Sequence, residues 1–390
     1  MGKSPGEVVS IRTGIYGGAF DPPHEGHLLV ARTALVSGRL DRVIFLPCAD
    51  TPNFGKVFAA AHDRVRMLEL LTADEPRFSV SSLEAEAGRP VPTAESMAFF
   101  RREYPEDQLF FILGADKLEK LPRWTDARKL FSLCGFMALP RDGADMQKLT
   151  DGVRRAGADI TFLPMREASV SSSRIQEALA AFRDPEHLPG PAAAYIAAEG
   201  LYHDHAMEER VQALMTEKRF RHTLGVRTQG VMLAQRHGLS LQKAALAALL
   251  HDSAKCLPFD EMKKLAHAGG ITDENLLSSP EMLHGPAGAV LAKRDFGVTD
   301  PDVLNAIAYH TMGRACMSPL EMCIFVADAT EPGRRDYPGL ETIREKSLES
   351  LPAAVLLSLE RTKEYVLSQN KPFNPLSEKT IVWLRASYNL

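Results

Sequence analysis

The apolar pattern of this 390-residue chain changes period once, near residue 203. Before that point, short apolar runs at 8–16, 42–47, 109–113, 133–139 and 159–163 alternate with amphipathic stretches at 26–37, 61–72, 93–104 and 124–131. The first three runs are almost wholly apolar at their centres, as strands covered on both faces require. Strands alternating with helices imply βαβ units and an α/β, doubly wound parallel sheet. After residue 203 the strand pattern is gone. Successive helical patterns follow at 206–217, 219–237, 240–255, 280–294, 300–311, 317–330, 338–349 and 351–369, with Pro and Gly between most of them. The expected organisation is therefore an α/β domain over 8–203 and an all-α helical bundle over 204–390, with the short join Tyr202-His203-Asp204-His205. The Ala-rich stretch 191–200 reads as a helix.

Composition bears on partners. Lys and Arg number 46 against 50 Asp and Glu, a net charge of −4. Such a chain is poorly suited to gripping a nucleic-acid backbone non-specifically. Five scattered cysteines without a CxxC pair argue against a disulfide framework and a thiolate zinc site, and fit a reducing cytoplasm. Residues 1–6 carry neither an apolar signal core nor a Ser or Thr at position 6 for myristoylation. With no long apolar run, the expected partners are small molecules, with no nucleic acid and no membrane; a homo-oligomer stays open.

Residues 17–27 read Gly17-Gly18-Ala19-Phe20-Asp21-Pro22-Pro23-His24-Glu25-Gly26-His27, between the first strand pattern and the first helix pattern. Glycines let a backbone approach a ligand closely. A helix start offers unpaired N–H groups and a positive dipole end, which suits phosphate. His24 and His27 are three apart, so they share one face of the first turn and can stabilise charge that grows during phosphoryl transfer. A bare Gly-Gly would be an ordinary turn; strand, DPP turn and paired histidines together point to a phosphate site.

This segment carries the HxGH signature of the nucleotidyltransferase superfamily, which has a Rossmann-like sheet, and its longer form resembles bacterial nicotinate-mononucleotide adenylyltransferase. Leu113-Gly114-Ala115-Asp116 with Leu121-Pro122-Arg123-Trp124, then Val170-Ser171-Ser172-Ser173-Arg174-Ile175, and finally Tyr195-Ile196 with Gly200-Leu201-Tyr202 resemble further blocks of that family. The resemblance implies ATP contacts from Gly17, Gly18, Ala19, Phe20, Gly114, Asp116, Ser171, Ser172, Ser173 and Arg174. It implies mononucleotide contacts from Lys56, Thr93 and Trp124, and catalysis by His24, His27 and Lys56 with Mg²⁺. Taken alone, Trp124 has a core residue as its lesser reading. Gln176 stands where the family usually carries Arg, and the 51–56 and 92–97 segments depart from its mononucleotide loops. Adenylyl transfer is thus better marked than the choice between nicotinate and nicotinamide mononucleotide. A relative that adenylylates another acceptor is the competing reading.

The helical half carries His222, His251-Asp252, His284, His310 and Asp328. Each lone histidine is more often a core or surface residue. The set is less ordinary, because His251-Asp252 follows the apolar run 244–250 and a buried charged pair needs a partner. Imidazole with carboxylate suits a catalytic divalent metal. The order resembles the HD superfamily of metal-dependent phosphohydrolases. The segments 218–226, 250–255, 283–285, 306–313 and 327–334 resemble the bacterial HD-type symmetrical diadenosine-tetraphosphate hydrolases. That resemblance implies one metal on His222, His251, Asp252 and Asp328, and a second on Asp252, His284 and His310, iron or manganese being the expected pair. It makes Asp252 and Lys255 catalytic, and Arg219, Lys255 and Arg334 candidates for phosphate oxygens. The implied whole is a bifunctional enzyme acting on ATP, nicotinate mononucleotide and diadenosine tetraphosphate. The alternatives for the second half are another nucleotide phosphohydrolase and a regulatory nucleotide-binding module.

Overall fold

The computed structural model describes residues 10–50, 59–140, 146–165 and 170–390. Six strands form one wholly parallel sheet: β1 (Arg12–Gly18), β2 (Arg42–Pro47), β3 (Phe78–Val80), β4 (Gln108–Gly114), β5 (Gly135–Leu139) and β6 (Ile160–Phe162). Their spatial order is β3-β2-β1-β4-β5-β6, the doubly wound arrangement. Side chains alternate between two apolar layers. Ile15, Ile44 and Phe111 face one core with Ala94, Met97 and Leu130. Their chain neighbours Tyr16, Phe45 and Ile112 face the other with Ala31, Leu35 and Leu68. This two-sided burial explains the continuous apolar runs of the sequence. β3 was not among the expected strands. It has only three residues at the sheet edge, and Phe78 alone of them is buried, which is too little to leave a run.

The sheet reverses direction at β1. The chain winds outward through β2 and β3, then returns to pair β4 against the other side of β1. Ligand crevices of open α/β sheets lie outside the carboxyl ends of strands at such a switch point. Gly17-Gly18 closes β1 and Gly114 closes β4, so two of the sequence motifs converge there.

The chain divides into two compact units. One holds the residues up to Glu177 together with Pro185–Ala192, and the other holds Ala178–Asp184 with Ala193–Leu390. The second unit is all helical. Its core gathers Val226, Leu233, Ala247, Leu250, Ile307, Ile324 and Val355 from successive helices. The helices Glu217–Arg236, Leu241–Leu250, Pro280–Asp295, Pro301–Tyr309 and Pro319–Thr330 carry the second motif set. The expected helix over 240–255 stops at Leu250. Two helices outside the expected set, Phe259–Ala268 and Pro375–Tyr388, complete the bundle. Among the described residues, no helix is long and apolar enough to cross a membrane.

A Cβ at Gly17 would lie 2.7 Å from the Phe111 ring. Gly17→Ala should therefore overpack the β1–β4 contact and destabilise the α/β unit by about 1–3 kcal/mol. The urea midpoint of that unit checks this; an unshifted midpoint means the ring yields freely.

Candidate active sites

The spacing of His24 and His27 has a local structural cause. His24 is the N-cap of the helix Glu25–Val36 and His27 is its third residue, the two positions of a capping box. The His24 side chain is turned to the backbone N–H of His27. In return, the His24 N–H donates to His27 Nδ1 at 3.1 Å. The rings stack with centroids 3.8 Å apart. His27 Nδ1 accepts from an N–H and so carries no proton, which puts the proton of the neutral His27 ring on Nε2, whereas the buried His24 Nδ1 has no hydrogen-bond partner among the described residues. The helix start thus presents two stacked imidazoles, with the proton of His27 on Nε2. Burial, and then the charge of His187, push the His24 pKa down to about 4. Burial and His24 likewise hold His27 well below its usual value. Both rings are neutral near pH 7.

The turn before this helix is held from three directions. Phe20 adopts a left-handed φ of 52°, a strained position for a bulky residue. It is offset by edge contacts with Tyr16 and His27 at 5.2 and 4.9 Å. Gln176 Nε2 donates to the Asp21 carbonyl at 2.6 Å, and Ser172 Oγ donates to the Pro22 carbonyl at 3.3 Å. Gln176, which departs from the family pattern, thereby ties the helix Ser172–Ala180 to the histidine turn. Arg64 is fully buried. Its guanidinium donates to the carbonyls of Ala19 and Cys48, both at 2.8 Å, and to Asp50 at 2.7 Å. Sequence reasoning missed Arg64. The available signal was a cation on the buried stripe Ala61, Arg64, Leu68 of its helix.

Gly17 and Gly18 have a role within the protein. Their Cβ directions are filled by Phe111 and Phe20, at 2.7 and 3.1 Å respectively. Gly114 is the N-cap of the short helix Ala115–Leu118, and Asp116 pairs with Lys117 at 3.0 Å. Trp124 is half-buried, with its ring edge-on to Phe111 at 6.2 Å. Thr93 opens the helix Thr93–Glu103 and is half-buried. Ser171 and Ser172 are half-buried, whereas Ser173 and Arg174 are exposed at the helix start. Lys56 lies outside the described residues.

In the helical unit all six predicted ligands converge. His251 and His310 each occupy the C-cap of a helix. There the last carbonyls lack helical partners. His251 Nδ1 donates to Ala248 O at 2.6 Å and His310 Nδ1 to Ile307 O at 2.7 Å. His284 Nδ1 faces Pro280 O at 3.2 Å, and His222 Nδ1 donates to Glu331 at 3.1 Å. With Nδ1 engaged, each Nε2 lone pair is left to point inward.

The two oxygens of Asp252 face different groups. Oδ2 lies 3.3 Å from His251 Nε2 and 3.8 Å from His222 Nε2. Oδ1 lies 3.3 Å from His284 Nε2 and 3.7 Å from His310 Nε2. Asp328 Oδ1 stands 3.0 Å from His222 Nε2. Close as they are, the buried His222 and His251 Nε2 atoms make no hydrogen bond, because the contacts are misdirected for one. Donor atoms that crowd together without bonding one another suit a shared cation. His222, His251 and Asp328 lie within ion-holding reach of one another, as do His251, Asp252 and His310. Burial works to raise the Asp252 carboxyl, but His251, His284 and His310 hold it well below the usual carboxylate range. His284 and His310 approach to 3.1 Å because their helices touch at Gly285, where a Cβ would strike Ala308 O at 2.6 Å.

The three predicted cations surround this centre. Arg219 donates to Asp252 Oδ2 at 2.9 Å, and Arg334 stands 3.6 Å from Asp328. Lys255 Nζ straddles the His284 nitrogens at 3.3 and 3.4 Å, and burial lowers its pKa. Thr311, whose hydroxyl is 3.2 Å from His284 Nε2, and Glu331 were not singled out from the sequence. Glu331 follows Asp328 by three residues, the spacing that shares a helical face.

The fold and the two sites define a nucleotidyltransferase-type α/β unit followed by an HD unit. A cytidylyltransferase-like family model matches residues 15–178 and an HD domain model matches residues 219–333. A Mycoplasma pneumoniae protein named "probable nicotinate-nucleotide adenylyltransferase/Ap4A hydrolase" is 30% identical over 92% of this chain and 99% of its own. The symmetrical bis(5'-nucleosyl)-tetraphosphatase of Bacillus subtilis is 39% identical over 45% of this chain and 93% of its own. A probable nicotinate-nucleotide adenylyltransferase of Dehalococcoides mccartyi is 38% identical over 50% of this chain and 99% of its own. The chain belongs to the family of nicotinate-nucleotide adenylyltransferase/Ap4A hydrolase fusions.

The His24 ring should titrate near pH 4 by proton NMR of the ligand-free protein. Between the ordinary 6.5 and about 4, the unfolded chain binds a proton that the folded ring refuses. Stability should therefore fall as pH drops through that window, and His24→Gln should flatten the slope. Titration near 6.5 would contradict the burial of the His24 ring.

Proposed function

We propose that the α/β unit makes nicotinate adenine dinucleotide from ATP and nicotinate mononucleotide, and that the HD unit hydrolyses diadenosine tetraphosphate symmetrically to two ADP. Both reactions are placed in the cytoplasm. The observation that carries the hydrolase reading is Asp252, one oxygen turned to His251 and His222 and the other to His284 and His310.

In the first reaction an oxygen of the mononucleotide phosphate bonds to the α-phosphorus of ATP, and the bond to pyrophosphate breaks. No covalent enzyme intermediate is needed. His24 and His27 donate to oxygens on which charge grows, His27 from Nε2, and the helix N-terminus adds its dipole. Gln176 and Arg64 hold the turn that aims them. Ser171, Ser172, Ser173 and Arg174, at the start of a second helix, are placed around the ATP phosphates, and Trp124 against the pyridine ring. Lys56 supplies a further cation, and Mg²⁺ enters with the nucleotide.

In the second reaction a water oxygen bonds to one central phosphorus, the bridging P–O bond opens and the released proton goes to solvent. Iron or manganese ions on His222, His251, Asp252 and Asp328, and on Asp252, His284 and His310, would polarise the phosphate and ease deprotonation of water. Lys255, Arg219 and Arg334 offer charge to the phosphate oxygens around that centre.

Two variants of the full chain separate the sites. His24→Ala should lower dinucleotide formation about 10²–10³-fold, with little change in ATP binding and none in hydrolysis. Asp252→Asn should abolish hydrolysis, spare dinucleotide formation and lower the metal content from about two ions per chain. Loss of both activities in either variant, or wild-type chain that holds no metal after native purification, would count against the proposal.

A further inference from the structure

Of the four imidazoles in the HD centre, three have a backbone carbonyl behind the ring, and His222 has a carboxylate. Glu331 Oε1 accepts from His222 Nδ1 at 3.1 Å, and Glu331 Oε2 accepts the Gly333 N–H. Glu331 is the C-cap of the helix Pro319–Thr330. The same helix end places Asp328 Oδ1 3.0 Å from His222 Nε2. Both nitrogens of the ring are therefore addressed from one helix end.

Glu331 is itself fixed. It is 3% exposed. Its carbonyl accepts from Arg344 Nη2 at 3.2 Å and from the Arg334 N–H at 3.0 Å. Arg344 Nε reaches the Thr330 carbonyl at 3.2 Å. Room for the carboxylate comes from Gly225, three residues after His222 on the same helix. A Cβ there would lie 2.6 Å from Glu331 Oε2. The glycine and the carboxylate are complementary in shape.

We propose that Glu331 is a positioning residue of the HD centre, which holds His222 with its proton on Nδ1 and strengthens ion binding on the His222 side. The proposal rests on reading the centre as a two-ion site. A carboxylate behind a ligating imidazole fixes its orientation and raises its basicity. His251, His284 and His310, backed by neutral carbonyls, lack that second effect. The two ion positions should accordingly differ in affinity, the tighter one on the His222 side.

The test is Mn²⁺ titration by calorimetry of full-length protein stripped with a chelator. Wild type, Glu331→Ala, Glu331→Gln, Gly225→Ala and the double variant Gly225→Ala/Glu331→Ala are compared. Wild type should bind two ions. Glu331→Ala should weaken the tighter ion about 10–100-fold and leave the other unchanged. Gly225→Ala should reproduce that loss by displacing the carboxylate. The double variant should be no worse than Glu331→Ala, since the displaced group is gone. Glu331→Gln, which keeps the volume and one acceptor, should fall between. It carries the test with Gly225→Ala should Glu331→Ala fail to fold. Unchanged affinities, equal losses at both positions, or losses that add in the double variant would overturn the role of Glu331 alone. Wild type that binds no Mn²⁺ would overturn the two-ion reading beneath it.

Discussion

Both sites depend on the polar groups that a helix leaves unpaired at its ends. At the start of the helix Glu25–Val36 the spare groups are N–H donors, and the His27 imidazole, which takes one of them, must accept at Nδ1. At the ends of Leu241–Leu250 and Pro301–Tyr309 the spare groups are carbonyls, and imidazoles capping them must donate from Nδ1. The same side chain thereby acquires opposite character at Nε2. In the proposed reactions it serves as a proton donor toward phosphate in the first unit, and as a lone pair toward a cation in the second. Backbone polarity chooses between the two chemistries before any ligand is present.

The surrounding packing serves these helix ends. In the α/β unit the strand order reverses at β1, the place where open α/β sheets bind ligands, and the histidine helix follows the carboxyl end of that strand. Arg64 illustrates the cost of holding such a turn. A buried guanidinium is tolerable only when its donors are met, and Ala19, Cys48 and Asp50 meet them. In the helical unit the close approach at Gly285 sets His284 against His310. Asp252, one residue past the His251 cap, can then face both imidazole pairs.

Much of this was legible in the sequence, for physical reasons that can be named. The central strands are buried on both faces, so their runs are continuous; β2, β4 and β5 lie within two residues of the expected runs, while the run at 8–16 starts four residues before β1. β3 touches one neighbour and buries one side chain, so it leaves no comparable trace. The His251-Asp252 pair was legible because a histidine and a carboxylate after an apolar run are costly without a partner, and the full set of six candidate ligands was supplied by the family resemblance. Glu331 was not, since its carboxylate meets a ring nitrogen 109 residues away in the chain. Gly17 and Gly18 read as openings for a ligand, whereas Phe111 and Phe20 fill the space above them. A glycine shows that something comes close, and the identity of the neighbour is a tertiary fact.

The most direct test of the account is chromatography of the products formed when the metal-replete chain is given diadenosine tetraphosphate. ADP as the sole nucleotide product is the predicted result, since attack at a central phosphorus divides the molecule into equal halves. AMP together with ATP would place the attack elsewhere and contradict the symmetrical assignment of the HD centre.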